Sequence, residues 1–205
     1  MKCAICETRK ARRYCPGVRG EICPVCCGTE RENTVDCPFD CMYLREARAR
    51  EKPNELDPAT VPNADIRLPE RYLEDHPEAG DTVFNALATA IFSMPGVTDY
   101  DVRDALDALV RTYRTLQSGL VYETRPTNLI AANLYARVQE RLKELREHVK
   151  SVRDPEVLAI LVFLQRLEYV DNNGRKRGRA FIDSLRPYYQ QKTSVLNPEA
   201  APLIV

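Results

Sequence analysis

From Asp81 onward the apolar residues of this chain recur every three or four positions, the period of a helix buried along one side. Phe84, Leu87, Ala88, Ile91 and Met94 form a first stripe, which Pro95-Gly96 stops. A second runs through Val102, Leu106, Leu109, Tyr113 and Leu116. Thr98, with Asp101 three residues later, gives it a capping-box start, and Ser118-Gly119 closes it. Its acids Asp99, Asp101 and Asp104 come early and Arg111 and Arg114 late, as the helix dipole prefers. Pro126-Thr127 opens a third helix with Ile130, Leu134, Val138, Leu142, Leu145 and Val149 on one face. Its other face, from Arg137 to Glu147, is mixed in sign and reads as solvated. Asp154-Pro155 supplies a cap and a first-turn proline for a fourth segment. There Val157 to Val170 is apolar on nearly every side, which predicts the buried centre of a bundle. After Asn172-Asn173-Gly174 a fifth stripe, Phe181, Ile182, Leu185 and Tyr189, contains Pro187, which should bend or end it. The pattern therefore predicts an all-α fold, a bundle of about five helices over residues 81–191.

Upstream the periodicity fails. Pro53, Pro58, Pro62, Pro69 and Pro77 are too closely spaced for a long helix, so residues 52–80 read as a linker. Its apolar residues Ile66, Leu68, Tyr72 and Leu73 suit a strand of chain laid along the bundle, with a one-turn helix near Pro69–Asp75. Met42 to Glu51 consists largely of good helix formers and predicts a short closing helix for whatever precedes it. At the other end, residues 192–205 carry Pro198 and Pro202, which argue against a continuing helix, and finish on Leu203, Ile204 and Val205. Three apolar residues at a chain end suggest either self-capping of the bundle or docking on a partner by strand addition or carboxylate capture.

The first 41 residues have a different logic, because all eight cysteines fall there. Their spacing is Cys3-x2-Cys6-x8-Cys15-x7-Cys23-x2-Cys26-Cys27-x9-Cys37-x3-Cys41. A CxxC turn converges two thiolates on one point, and two such turns complete a tetrahedral site. Eight sulfurs satisfy two four-coordinate zinc ions. The expected division is a cross-brace, with Cys3, Cys6, Cys23 and Cys26 on one ion and Cys15, Cys27, Cys37 and Cys41 on the other. Cys27 goes to the second ion because its neighbour Cys26 is already committed to the first. Iron in tetrahedral sulfur sites and a disulfide framework are the rival readings. The start of the chain shows no apolar segment that would route it to an oxidising compartment, which disfavours disulfides.

Charge alters this picture only slightly. Lys+Arg and Asp+Glu are equal at 30 each, so nothing global draws the chain to nucleic acid or anionic membrane. No window approaches 18 apolar residues, and a soluble cytoplasmic protein is the expectation. Within the first 50 residues ten basic and seven acidic side chains, eight thiolates and two divalent ions leave the module close to neutral. Arg9, Lys10, Arg12 and Arg13 are thus expected to offset the thiolates. One sharp basic patch stands apart: Arg175, Lys176, Arg177 and Arg179 in five residues, with Arg186, Tyr188 and Tyr189 downstream. Cations beside stacking rings suit single-stranded nucleic acid or phosphates. The plainer reading is a solvated turn whose cations face the end of the preceding helix.

Taken together, Cys3-Ala4-Ile5-Cys6, Cys15, Cys23-x2-Cys26 and the terminal cysteine pair resemble the cross-brace zinc modules of the B-box, MYND and HIT-finger type, over residues 1 to about 45 only. Cys15 stands alone where those modules usually carry a second pair, and Cys37 and Cys41 replace their common terminal histidines. The resemblance implies protein–protein contacts. Closed all-sulfur sites lack the open position that hydrolytic zinc needs, and no His-x-Glu precedes the Cys-Pro-x-Cys knuckle, so no enzyme is expected. The resulting expectation is a zinc-binding adaptor with a protein partner. The alternative is a nucleic-acid-binding regulator that uses the arginine-rich patches.

Overall fold

The computed structural model describes residues 1–67, 72–148 and 152–196 and is mostly helical, with a small cysteine cluster at its N-terminal end. That cluster is built on a two-stranded antiparallel hairpin, β1 (Arg13–Cys15) and β2 (Gly20–Ile22), followed by two short helices, α1 (Pro24–Thr29) and α2 (Met42–Arg48). The hairpin pairs Arg13 with Ile22 and Cys15 with Gly20, so strand alternation turns Cys15 and Ile22 inward and leaves Tyr14 exposed. At its tip Gly17 lies against the Asp36 backbone and the Val35 side chain. A Cβ there would come within 2.4 Å of the Asp36 carbonyl oxygen, so the approach requires glycine.

The remaining elements are one short helix, α3 (Tyr72–Asp75), and five long ones: α4 (Pro77–Phe92), α5 (Asp99–Gln117), α6 (Leu129–His148), α7 (Asp154–Asp171) and α8 (Ala180–Leu196). The total among the described residues therefore exceeds five, because α1, α2 and α3 are short local helices outside the long-period stripes. Helix α7 buries Val157, Leu158, Ile160, Leu161, Val162 and Leu164 and is packed against α5, α4 and α8. Its apolar circumference is thus matched by neighbours on several sides. Thr98 caps α5 as a true box: its hydroxyl accepts from the Asp101 N–H, and the Asp101 carboxylate accepts from the Thr98 N–H at 2.9 Å.

Three boundaries differ from the sequence pattern, and two of them turn on proline. Helix α4 starts at Pro77, four residues before Asp81, because a proline in the first turn gives up no intrahelical hydrogen bond; Ala79 thereby joins the core. Helix α8 continues through Pro187 to Leu196, past residue 191. Two ring contacts follow directly on that proline: Tyr188 meets Phe84 edge-on at 5.8 Å, and Tyr189 stacks on Phe92 at 4.8 Å. These contacts with α4 just after the proline offset the one lost hydrogen bond. In the third case α6 opens at Leu129 and not at Pro126-Thr127, after Asn128 accepts from the Ile130 N–H and donates to Asp101.

Residues 52–67 run along the bundle. Arg166 of α7 grips the carbonyls of Pro62, Asn63 and Ile66, and Asn54 bonds to the carbonyls of Tyr169 and Asn172. No described helix is long and apolar enough to cross a membrane.

Candidate metal centre

The sulfurs of Cys3, Cys6, Cys23 and Cys26 lie within 4.8 Å of one another, and three of the four residues are buried. A zinc-like ion with bonds of about 2.3 Å needs tetrahedral edges of roughly 3.8 Å, so this set can close on a metal with small side-chain shifts. Local chain geometry brings it about. The Lys2–Lys10 bridge folds the first CxxC back on itself, with Glu7 at φ +55, and β2 delivers Cys23 to the N-cap of α1. Backbone amides then face the sulfurs: Cys23 N–H donates to Cys3 Sγ at 3.2 Å, Ile5 N–H to the same atom at 3.5 Å, and Cys26 N–H to Cys23 Sγ at 3.4 Å. Such donors stabilise thiolates without adding a side-chain charge.

Cys3, Cys6 and Cys26 differ in acidity. The Thr8 hydroxyl, helped by the Arg9 and Thr8 amides, brings Cys6 down to about 5. Burial works against Cys3, yet the Cys6, Cys23 and Ile5 amides lower it overall. Burial and the neighbouring sulfurs push Cys26 up to about 12. A divalent cation at the centre would favour the thiolate at all four positions. Arg9 lies outside them and hydrogen-bonds Cys23, so one of the early cations does offset thiolate charge.

The other four cysteines form no equally tight group among the described residues, but they are neighbours. Cys15, Cys27, Cys37 and Cys41 all line one cavity of about 20 Å³, with Ile22 and Leu44 as apolar walls. That volume has room for about one water molecule. Arg13 Nη1 and Arg31 Nη2 lie 3.6 and 3.7 Å from Cys27 Sγ. Burial raises Cys37, against a hydrogen bond from the Glu32 amide. None of the eight cysteines is in a disulfide.

The arginine-rich turn does not point at the end of α7. Arg175 and Arg179 are half-buried and bond to carbonyl and carboxylate oxygens of the cysteine module, which removes two cations from any phosphate-binding patch. Lys176 and Arg177 are exposed. Leu203, Ile204 and Val205 lie outside the described residues. What sequence reasoning missed is Glu32, wholly buried and paired with Arg48 at 2.5 Å. A single glutamate among polar neighbours gives no periodic signal of burial. No family model, characterised protein or solved structure matches this chain.

Proposed function

We propose that this chain is a zinc-organised, non-catalytic adaptor that binds another protein and carries two structural ions. The reading is carried by the Cys3, Cys6, Cys23 and Cys26 sulfurs, all within 4.8 Å of one another. Amide donors around an all-thiolate set suit a closed structural site, and zinc is the usual ion for four tetrahedral sulfurs in a module of this size. The second ion belongs in the cavity shared by Cys15, Cys27, Cys37 and Cys41, where the two guanidiniums on Cys27 would balance part of the thiolate charge.

A protein partner is supported by large apolar side chains held in ordered but exposed positions. Tyr14, Val25 and Met42 are exposed on the module. On the bundle, Thr112 and Thr115 pin the backbone of Thr124 and Tyr122, while Leu120, Val121 and Tyr122 face solvent. Exposed apolar groups on a fixed backbone suit protein contact better than phosphate contact.

Elemental analysis of the purified chain tests the metal reading, with two zinc ions per chain expected. One ion would remove the second site, and bound iron would move the reading to electron transfer. For the partner, pull-down across a salt series is decisive. Apolar docking changes little with salt, whereas capture of nucleic acid that weakens steeply would favour Lys176 and Arg177 as phosphate contacts.

A further inference from the structure

The face that the module turns to the bundle comes from residues 28–48. Arg175 Nη1 donates to the Arg31 carbonyl at 2.7 Å and to that of Gly28 at 3.4 Å. Arg179 Nη2 donates to the Cys37 carbonyl at 2.6 Å and to Asp36 at 2.7 Å. Phe39, in the loop between Cys37 and Cys41, packs against the bundle core, with Arg179 over its ring at 4.6 Å. Arg48 closes the helix that Cys41 begins and pairs with both Glu32 and Asp183 of α8. Apart from Arg48, these contacts all fall between Cys27 and Cys41, whereas the first sulfur set precedes them in the chain.

Glu32 joins the two sides. Its φ of +52 is one that L side chains rarely adopt. This conformation directs its N–H to Cys37, while its carbonyl accepts from the Arg177 N–H at 2.7 Å. Its carboxylate meanwhile accepts from Asn173 at 3.0 Å and from the Arg179 N–H at 3.2 Å, besides Arg48. One buried residue thus touches a sulfur of the second set with its amide and the 173–179 turn with its carboxylate.

We infer that ion binding at Cys15, Cys27, Cys37 and Cys41 is thermodynamically coupled to docking of the module on the bundle, with Glu32 as the joint. The inference rests on the second-ion reading above. The ion orders residues 27–41, which presents the gripped carbonyls, Phe39 and Glu32 to the bundle. The turn in return holds Cys37 in ligating position. Because coupling free energies are reciprocal, the link is measurable from the side that holds no cysteine.

The test is zinc affinity, measured by chelator competition on the full chain and on Arg175→Ala/Arg179→Ala. The second ion is expected to bind roughly tenfold more weakly in the variant and the first ion to be unchanged. Gly178→Ala serves as a second variant. A Cβ there would lie 2.6 Å from Asn173 Oδ1, so it opens the turn without touching the module. In the unmodified chain, removing only the second ion should speed hydrogen exchange at the Arg177 and Arg179 amides. A second-ion affinity unchanged in both variants overturns the coupling, as does an equal loss at both ions. A chain that binds one ion overturns the second-site reading and the coupling together. Two ions with no cross-talk overturns the coupling alone.

Discussion

The module and the bundle solve the problem of a core with different materials. Across the bundle, α4 to α8 bury a continuous apolar cluster of aliphatic and aromatic side chains. In the module the buried cluster is Cys3, Cys15, Cys23, Cys26 and Cys37 with only Ile22, Val35 and Leu44 besides. Three aliphatic side chains bury too little area to offset the conformational entropy of about 50 ordered residues. The comparison teaches that the first region needs something besides hydrophobic area to hold it, which metal–thiolate bonds would supply, and that the two regions should respond to different insults.

Removing the metal is the harshest test of that difference. Strong chelation should abolish amide protection throughout residues 1–48, while α4 to α8 keep their helical circular dichroism and melt at a lower temperature. Retained protection in the hairpin after chelation would show that the module does not need its ion.

The opposite insult is Leu161→Ala, at the buried centre of α7. It should cost about 4 kcal/mol by transfer loss and cavity formation, with metal content unchanged. Denaturant melts followed by elemental analysis check both halves.

Between the regions, Arg48→Ala leaves Glu32 buried without its ion pair and should cost about 3 kcal/mol. Glu32→Gln in the Arg48→Ala background should recover part of that loss, since the stranded charge is then gone. A double variant no more stable than Arg48→Ala would mean that the charge is not the cost.

The mildest effect is protonic and confined to the bundle. The Asp99 carboxylate is buried and accepts from the Phe181 and Ile182 amides at the start of α8. Burial outweighs those bonds and, with Glu168 nearby, raises its pKa from 3.8 to about 6. Folding therefore takes up a proton here. The favourable contribution is complete below pH 3.8 and is lost as pH rises through about 6. Asp99→Asn should flatten the stability-versus-pH curve in that window relative to the unmodified chain, and leave zinc content alone.

Much of the bundle was legible because its signals are local. Val102, Leu106, Leu109 and Tyr113 share a face by spacing alone, and Thr98 and Asp101 find each other three residues apart. Prolines misled in two ways: Pro77 starts a helix by its first-turn preference where the proline spacing reads as linker, and at Pro187 packing outweighed propensity. In the metal centre, CxxC spacing was enough to join Cys3 and Cys6 to Cys23 and Cys26. The arginine turn could not be read that way. Its partners, Gly28, Arg31 and Cys37, lie more than 140 residues away, and no period connects a cation to a carbonyl across such a gap.

The distance between Glu32 and Asn173, 141 residues, also imposes a sequence of events on the nascent chain. At translation rates of roughly 5–20 residues per second, the turn leaves the ribosome about 7 to 28 s after the glutamate it will meet. Arg48 follows Glu32 by only 16 residues and arrives within seconds to shield its charge. Closing the larger loop adds little entropy beyond its first few tens of residues, so delay and not chain length is the main hazard. A module that captures its ions during this interval offers the emerging turn a finished surface; one synthesised under metal starvation presents exposed thiols and a stranded Phe39 instead.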